Sequence, residues 1–195
     1  MARRQRPTAP SPRQENTVRI IGGQWRGRKL PFPTIDGLRP TGDRIRETLF
    51  NWLQADLPGA HCLDAFAGAG ALGFEALSRE VASATLLDSS PKVTEQLKTN
   101  AKLLQANNAT ILCSDSLGWL KQPATQAFDI IFLDPPFAAD LLQETAELLE
   151  ANHWLSDNAA IYVEHPKAQQ PIFPTTWQLH RNKAAGDVIY QLYYR

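Results

Sequence analysis

Leu63-Asp64-Ala65-Phe66-Ala67-Gly68-Ala69-Gly70-Ala71-Leu72-Gly73 decides the fold class of this chain. An apolar run from His61 to Phe66 leads into it and reads as a buried strand, and a helical pattern from Gly73 to Arg79 leads out. The small residues between them permit a tight turn, let the backbone approach a ligand closely and aim a helix N-terminus at it. Downstream, the runs Thr85 to Leu87, Thr110 to Cys113, Phe128 to Leu133 and Ala160 to Val163 are too uniformly apolar to be half-exposed strands. Helical patterns separate them: Pro91 to Ala106, with Ser90 as N-cap and Pro91 at the first helical position, then Leu117 to Lys121 and Ala139 to Ala151. This alternation predicts an α/β fold, a doubly wound, mostly parallel, Rossmann-like sheet covered on both faces. Trp177 to Arg181 and Val188 to Tyr194, around Gly186-Asp187, read as a hairpin that closes the sheet with an antiparallel edge.

Upstream of the glycine loop, residues 1–16 combine Pro7, Pro10 and Pro12 with Arg, Gln and Ser and are expected to be a disordered basic tail. Thr17 to Ile21 and Gln24 to Leu30 flank Gly22-Gly23 and predict a small basic β-hairpin over 17–30. A helix follows over 43–55, with Ile45, Leu49, Trp52 and Leu53 on one face, Asp43 as N-cap and Glu47 as its partner. Residues 17–195 are thus read as one domain, within what 195 residues with 43% hydrophobic content can bury. No run approaches the roughly 18 uncharged apolar residues of a membrane span, so a soluble, cytoplasmic protein is expected. Cys62 and Cys113 lie in apolar runs without metal-ligand spacing and are expected to be inert core thiols. No metal is called for, and His61, His153, His165 and His180 are scattered singly.

The net charge of zero hides an asymmetry. From Arg3 to Arg46 there are eleven basic residues against three acidic ones, a front of +8 on a body of −8. That arrangement fits a polyanionic partner met by one end of the molecule, though a merely solvated tail has the same composition.

Three acidic positions follow predicted strands. Gly68, Gly70 and Gly73 match the dinucleotide fingerprint, with Asp88 twenty residues after Gly68 where a ribose-binding carboxylate belongs. Asp64 argues for a different ligand: a carboxylate at the end of this strand repels a pyrophosphate and suits a cationic ligand such as S-adenosylmethionine (SAM). It can equally cap amides of the glycine turn. Asp115, in Cys113-Ser114-Asp115-Ser116, can accept from an adenine amine or cap the next helix.

Asp134-Pro135-Pro136-Phe137 is the most specific motif. Two prolines remove two donors and fix two φ angles, which leaves a rigid loop with outward acceptors. An exocyclic base amine is planar because its lone pair is delocalised into the ring. Acceptors from the Asp134 side chain and the Pro135 carbonyl would hold its two protons, localise the lone pair and aim nitrogen at an electrophilic methyl. Phe137 offers a face for the base to stack on.

The loop at 64–70 together with Asp134 to Phe137 resembles those of class I SAM-dependent amino-methyltransferases. More narrowly, Arg39-Pro40-Thr41-Gly42-Asp43-Arg44-Ile45-Arg46-Glu47-Thr48-Leu49-Phe50-Asn51 is similar to the signature of the bacterial 16S rRNA guanine-N2 methyltransferase D family, and the likeness runs from about Val18 through Ile161-Tyr162-Val163-Glu164 to the C-terminal Tyr-Tyr-Arg. The resemblance implies a seven-stranded sheet with an antiparallel last strand and an N-terminal hairpin that meets RNA. It implies that Asp64, Gly68 and Gly70 surround the methionine part of SAM, Asp88 holds the ribose and Asp115 lies near adenine. Phe66, Ser89 and Ser116 would line the same edge. Asp134, Pro135, Pro136 and Phe137 would form the catalytic loop, and Arg19, Trp25, Arg26, Arg28, Lys29, Arg39 and Arg44 would contact RNA. Trp25 can equally pack beneath the hairpin. Asp88 stands where the family often has Glu, a shorter reach to the ribose. The expected activity is methyl transfer to guanine N2 in small-subunit rRNA, by a monomer acting on an assembled or assembling subunit. A DNA adenine-N6 methyltransferase could use the same proline loop but usually carries a target-recognition domain for which this chain has little room. A nicotinamide-dependent dehydrogenase would explain the glycines and Asp88 but not that loop, and a non-catalytic RNA-binding module would need only the basic front.

Overall fold

The computed structural model describes residues 16–35, 40–136 and 141–195. In chain order the elements are β1 (Thr17–Arg19), β2 (Lys29–Pro31), α1 (Asp43–Trp52), β3 (His61–Asp64), α2 (Ala71–Ser78), β4 (Ser83–Asp88), α3 (Pro91–Leu104), β5 (Ala109–Cys113), α4 (Ser116–Leu120), β6 (Phe128–Leu133), α5 (Leu142–Ala151), β7 (Leu155–Pro166), β8 (Gln178–Ala185) and β9 (Val188–Tyr194). The last seven strands form one sheet in the order β5-β4-β3-β6-β7-β9-β8, and β1 pairs with β2 in a separate antiparallel ribbon. Strands β3 to β7 are mutually parallel, while β9 runs antiparallel to both of its neighbours. The expected antiparallel strand therefore lies one place in from the edge. Val188–Tyr194 carries the buried Tyr190, Leu192 and Tyr193 and takes the inner position beside β7, whereas β8 is exposed along nearly its whole length.

The chain steps outward from β3 through β4 to β5, then returns to the other side of β3 as β6. That reversal opens a crevice at the carboxyl ends of β3 and β6, the place where doubly wound sheets bind ligands. Alternation along the buried strands supplies both faces of the sheet. Cys62, Ile130 and Phe132 join a core with Leu49, Phe50, Phe74, Leu77 and Leu97 from α1, α2 and α3. Leu63, Ile131 and Leu133 join a second core with Leu120, Ala146 and Leu149 from α4 and α5. Ser90 caps α3 by accepting from the Val93 amide at 3.4 Å, with Pro91 in the first turn. No helix among the described residues is long and apolar enough to cross a membrane.

Several expectations about the N-terminal part need correction. The tail expected over 1–16 lies outside the described residues apart from Asn16, whose carbonyl accepts from the Phe32 amide at 2.9 Å. The ribbon strands have three residues each, so Trp25, Arg26 and Arg28 sit in the connecting loop. Gly22-Gly23 is not a two-residue hairpin turn: the Gln24 amide bonds the Ser78 carbonyl at 2.8 Å, and a Cβ on Gly23 (φ +72°) would fall 1.8 Å from that oxygen. Glycine is needed there for close approach to the end of α2. Asp43 is not the N-cap of α1. Gly42 holds that position, and Asp43, the first helical residue, binds Arg19 at 2.8 Å and Arg46 at 2.5 Å, two cationic partners that outcompete neutral amides. The helix ends at Trp52 rather than residue 55. Cys62 is buried as expected, but Cys113 is exposed.

Arg46 is 1% exposed and joins four segments. Its guanidinium donates to the carbonyls of Thr41 at 3.1 Å and Arg19 at 2.8 Å, to Asp43, and to Glu75 on α2 at 3.5 Å. Glu75 is fully buried and also accepts from the Ile21 amide and from Arg79, both at 2.8 Å. Arg46→Leu removes a buried cation that pairs with Asp43 and Glu75 and leaves the carbonyls of Arg19 and Thr41 without their donor, and should destabilise the protein by about 3–5 kcal/mol in chemical denaturation, with Arg46→Lys recovering little because an ammonium cannot span the same carbonyls. A change under about 1 kcal/mol would show the network to be dispensable.

Candidate active site

Asp64 ends β3, Asp88 ends β4 and Asp134 follows β6, so the parallel sheet brings three carboxylates to one edge. Asp64 is 3% exposed, and its Oδ2 accepts from the Gly73 amide at 2.9 Å. The amide-capping arrangement is thus present, with the Phe66 amide also donating. Burial pushes the Asp64 carboxyl up from 3.8 to about 7; the negative charges of Asp134 and Asp88 add to that, and the two amides oppose it.

Asp88 is half-buried and accepts from the amides of Gly68 at 3.0 Å and Ser90 at 2.8 Å, which ties the glycine loop to the end of β4. Burial raises its pKa, against the pull of those amides. Gly70 occupies the N-cap of α2 with φ +74°, where a Cβ would come within 2.6 Å of the Phe74 ring and 2.7 Å of Leu97. Here glycine serves the turn and its packing. Phe66 packs against the second core, and Ser89 is exposed next to Asp88.

Asp115 is the exposed N-cap of α4, accepting from the Gly118 amide at 2.7 Å, so the capping reading is realised there too. The Ser116 hydroxyl is buried and donates to the Ala65 carbonyl, which joins the end of β5 to the glycine loop.

Asp134 is half-buried, Pro135 buried and Pro136 exposed; Phe137 lies outside the described residues. Thr41 donates its hydroxyl to Asp134 Oδ2 at 3.1 Å. Burial raises the Asp134 pKa and the Thr41 hydrogen bond lowers it. Thr41, Tyr162 and Glu164 belong to the stretches that carry the family resemblance, but the sequence assigned them no role at the site. Glu164 on β7 is 4% exposed and accepts from the fully buried Tyr162 hydroxyl at 2.8 Å. Its pKa is raised by burial and by the Asp134 charge. A further signal was the acid Glu164 directly after the apolar run Ala160 to Val163.

The basic positions separate into groups. Arg26, Arg28, Lys29 and Arg44 are exposed, and Arg28 also reaches the Leu103 carbonyl at 3.3 Å. Arg19 is exposed but paired with Asp43, and Arg39 lies outside the described residues. Arg46, counted in the positive front, is internal. Trp25 is half-buried against the first core, which favours its packing role.

Among the described residues no basic side chain forms an ion pair with Asp64, Asp88 or Asp134. An edge of three acids without a cationic partner fits a positively charged ligand such as the sulfonium and ammonium of SAM and disfavours a pyrophosphate.

The family described as conserved hypothetical protein 95 matches residues 18–194. The ribosomal RNA small subunit methyltransferase D of Escherichia coli K12 is 54% identical over 179 residues, covering 91% of this chain and 90% of that protein. Its namesake in Haemophilus influenzae is 48% identical over 186 residues, covering 94% and 96%. The chain belongs to the methyltransferase D family. The solved structure of yhhF from Escherichia coli superposes with a TM-score of 0.86 at 53% identity, covering 92% of this chain and 98% of that one. An RNA methyltransferase from Salinibacter ruber, solved with S-adenosyl-L-homocysteine, shares the fold at a TM-score of 0.61 and 14% identity, over 80% of this chain and 93% of that one. The seven-stranded sheet of this methyltransferase D family member is thus shared with both solved structures.

The acidic edge has a consequence for stability. Asp64 is raised from 3.8 to about 7, so its protonated form favours the folded state fully below about pH 4, and that contribution is lost as pH rises through about 7. Asp88, Asp134 and Glu164 are shifted in the same direction. Asp43 is lowered, so its contribution fails only on the acid side, below this window. The cofactor-free protein should therefore show a falling Tm between about pH 5 and about pH 8. A Tm that is flat or rising there would mean these carboxyls are ionised in the folded state.

Proposed function

We propose that this protein is a SAM-dependent methyltransferase that modifies small-subunit ribosomal RNA at the exocyclic N2 of a guanine. The observation that carries the reading is the convergence of Asp64, Asp88 and the Asp134-Pro135-Pro136 loop at the switch point of the sheet. The names of the curated relatives support rRNA as the substrate, and the amine-holding chemistry of the loop supports a base amine as its target.

SAM supplies an electrophilic methyl on a positively charged sulfur. Asp64 would face the cationic part of the ligand, whose charge favours its ionised form, and Asp88 would accept from a ribose hydroxyl. Gly68 and Gly70, with Phe66, Ser89, Asp115 and Ser116, would line the rest of the pocket. Asp134 and the Pro135 carbonyl hold the two amine hydrogens, which turns the nitrogen lone pair out of the ring plane. SAM held by these residues would supply its methyl to that nitrogen and leave as the neutral thioether. The amine proton passes to Asp134 and on to water. Phe137 would stack on the base. Positioning and electrostatics carry the rate in this scheme.

Labelled SAM with small subunits from cells lacking this enzyme, followed by mapping of the modified base, tests the substrate. Asp134→Ala should lower transfer roughly 10²-fold or more while leaving SAM affinity within a few-fold. Methylation mapped to an adenine N6, or near-normal turnover by the variant, would overturn the corresponding part of the reading.

Arg26, Arg28 and Lys29, with Arg19, Trp25, Arg39 and Arg44, are proposed to meet RNA. Joint replacement of Arg26, Arg28 and Lys29 by Ala should weaken RNA binding and flatten its salt dependence by up to about 0.7–0.9 log units per log of salt for each phosphate no longer neutralised, with SAM binding unchanged. Affinity matching wild type across a salt series would remove the loop from the RNA-binding face.

A further inference from the structure

The prolines of the Asp134 loop fix its backbone but not the carboxylate it carries. Asp134 directly follows Leu133, the last residue of β6, which is paired with Val163 of β7, and Pro135 sets the next φ angle. The side chain keeps two torsions of its own, and the outer one is broad. A group outside the loop has to set the plane of the carboxylate if it is to meet an amine at a defined angle. The Thr41 hydroxyl does this by donating to Asp134 Oδ2 at 3.1 Å. Among the described residues it is the only hydrogen-bond donor to Asp134, and no buried side-chain oxygen lacks a partner, so Oδ1 is the atom left to solvent.

Thr41 is itself held still. It is buried, and Arg46 grips two successive carbonyls: its guanidinium donates to Thr41 at 3.1 Å and its amide to Gly42 at 3.1 Å. A β-branched side chain on a clamped backbone has few rotamers, so the hydroxyl is a fixed point. Nor is that hydroxyl spent on capping α1, a common use of threonine before a helix, because Gly42 holds the N-cap and no side chain caps the helix.

We propose that Thr41 is the positioning residue of the catalytic loop: it holds Asp134 Oδ2 and leaves Oδ1 aimed at the amine of the substrate base. The inference rests on the reading of the Asp134 loop as the site of methyl transfer. A donor to the charged form of an acid favours that form, and here it opposes the burial that pushes the Asp134 carboxyl up to about 6. The other groups facing Asp134 are the acids Asp64 at the end of β3 and Glu164 on β7, the phenol of Tyr162 on β7 and, beyond it, that of Tyr190 on β9. From α1, Arg46 reaches the Thr41 carbonyl, but its charge is shared with Asp43 and Glu75.

Thr41→Val keeps the branched shape and removes the donor, whereas Thr41→Ser keeps the donor. Turnover on small subunits should fall about tenfold or more in Thr41→Val, with KM for the subunits and SAM affinity within a few-fold, while Thr41→Ser stays within about threefold of wild type. Turnover needs Asp134 ionised and fails as pH falls through its pKa. Without the Thr41 hydroxyl that pKa rises, so the acid limb of the kcat profile should move to higher pH in Thr41→Val and not in Thr41→Ser. Titration of isotope-labelled carboxyl carbons in the cofactor-free proteins should show the same upward move at Asp134, by up to about one pH unit, a readout independent of activity. Added to Asp134→Ala, Thr41→Val should cost less than about twofold further. If Thr41→Ser loses as much as Thr41→Val, if Asp134 titrates alike in Thr41→Val and wild type, or if the two substitutions add in full, the proposal falls. If Asp134→Ala retains turnover, the parent reading and this one fall together. If Asp134→Ala is impaired but Thr41→Val is not, only this one does.

Discussion

The buried guanidinium of Arg46 is the interaction on which the arrangement of the site depends. It binds the carbonyl of Arg19 in the ribbon, the carbonyl of Thr41 in the segment before α1, and Glu75 on the helix that starts at the glycine loop. A planar fork of donors can hold several acceptors at fixed angles, which a point charge cannot. Through the Thr41 backbone it places a side chain whose hydroxyl reaches Asp134. The proposed RNA-contacting ribbon, the glycine loop and the proline loop therefore share one anchor. The energetic stake is high because the guanidinium is itself buried and its loss would strip donors from two backbone carbonyls and one of two arginines from the fully buried Glu75.

Around that anchor the fold concentrates like charge. Three aspartates and Glu164 occupy a small region at the sheet edge, and each is shifted towards its neutral form chiefly by burial. The backbone amides of Gly68, Gly73 and Ser90 offset part of this strain. A protein gains nothing in stability from such an arrangement. It becomes favourable when a cation is brought to it, which is the physical sense of a pocket for a sulfonium ligand.

Much of this was legible in the chain. The strands Phe128–Leu133 and Val188–Tyr194 fall where their apolar patterns put them, and the Ser90-Pro91 start of α3 follows from local capping chemistry. Asp64, Asp88 and Asp134 could be placed on one edge because parallel strands all end on the same side. The β8 strand was less legible because its residues are exposed and only pairing with β9 defines it. Asp43 and Arg46 misled as well: helix-start statistics favour Asp as a cap, and a charge count treats every arginine as surface.

By itself, then, the sequence determined what rests on local and periodic rules: the alternation of strands and helices, the glycine turn, the rigid proline loop and the family. Tertiary structure alone decided which charges are internal and which carboxyls are pushed towards their neutral form. Arg46 and Thr41 are separated from their partners Glu75 and Asp134 by long stretches of chain, and each has an ordinary sequence neighbourhood. Burial and hydrogen-bond supply are properties of the packed environment, so the protonation state of a carboxyl and the partner of a guanidinium become defined only when the sheet has assembled.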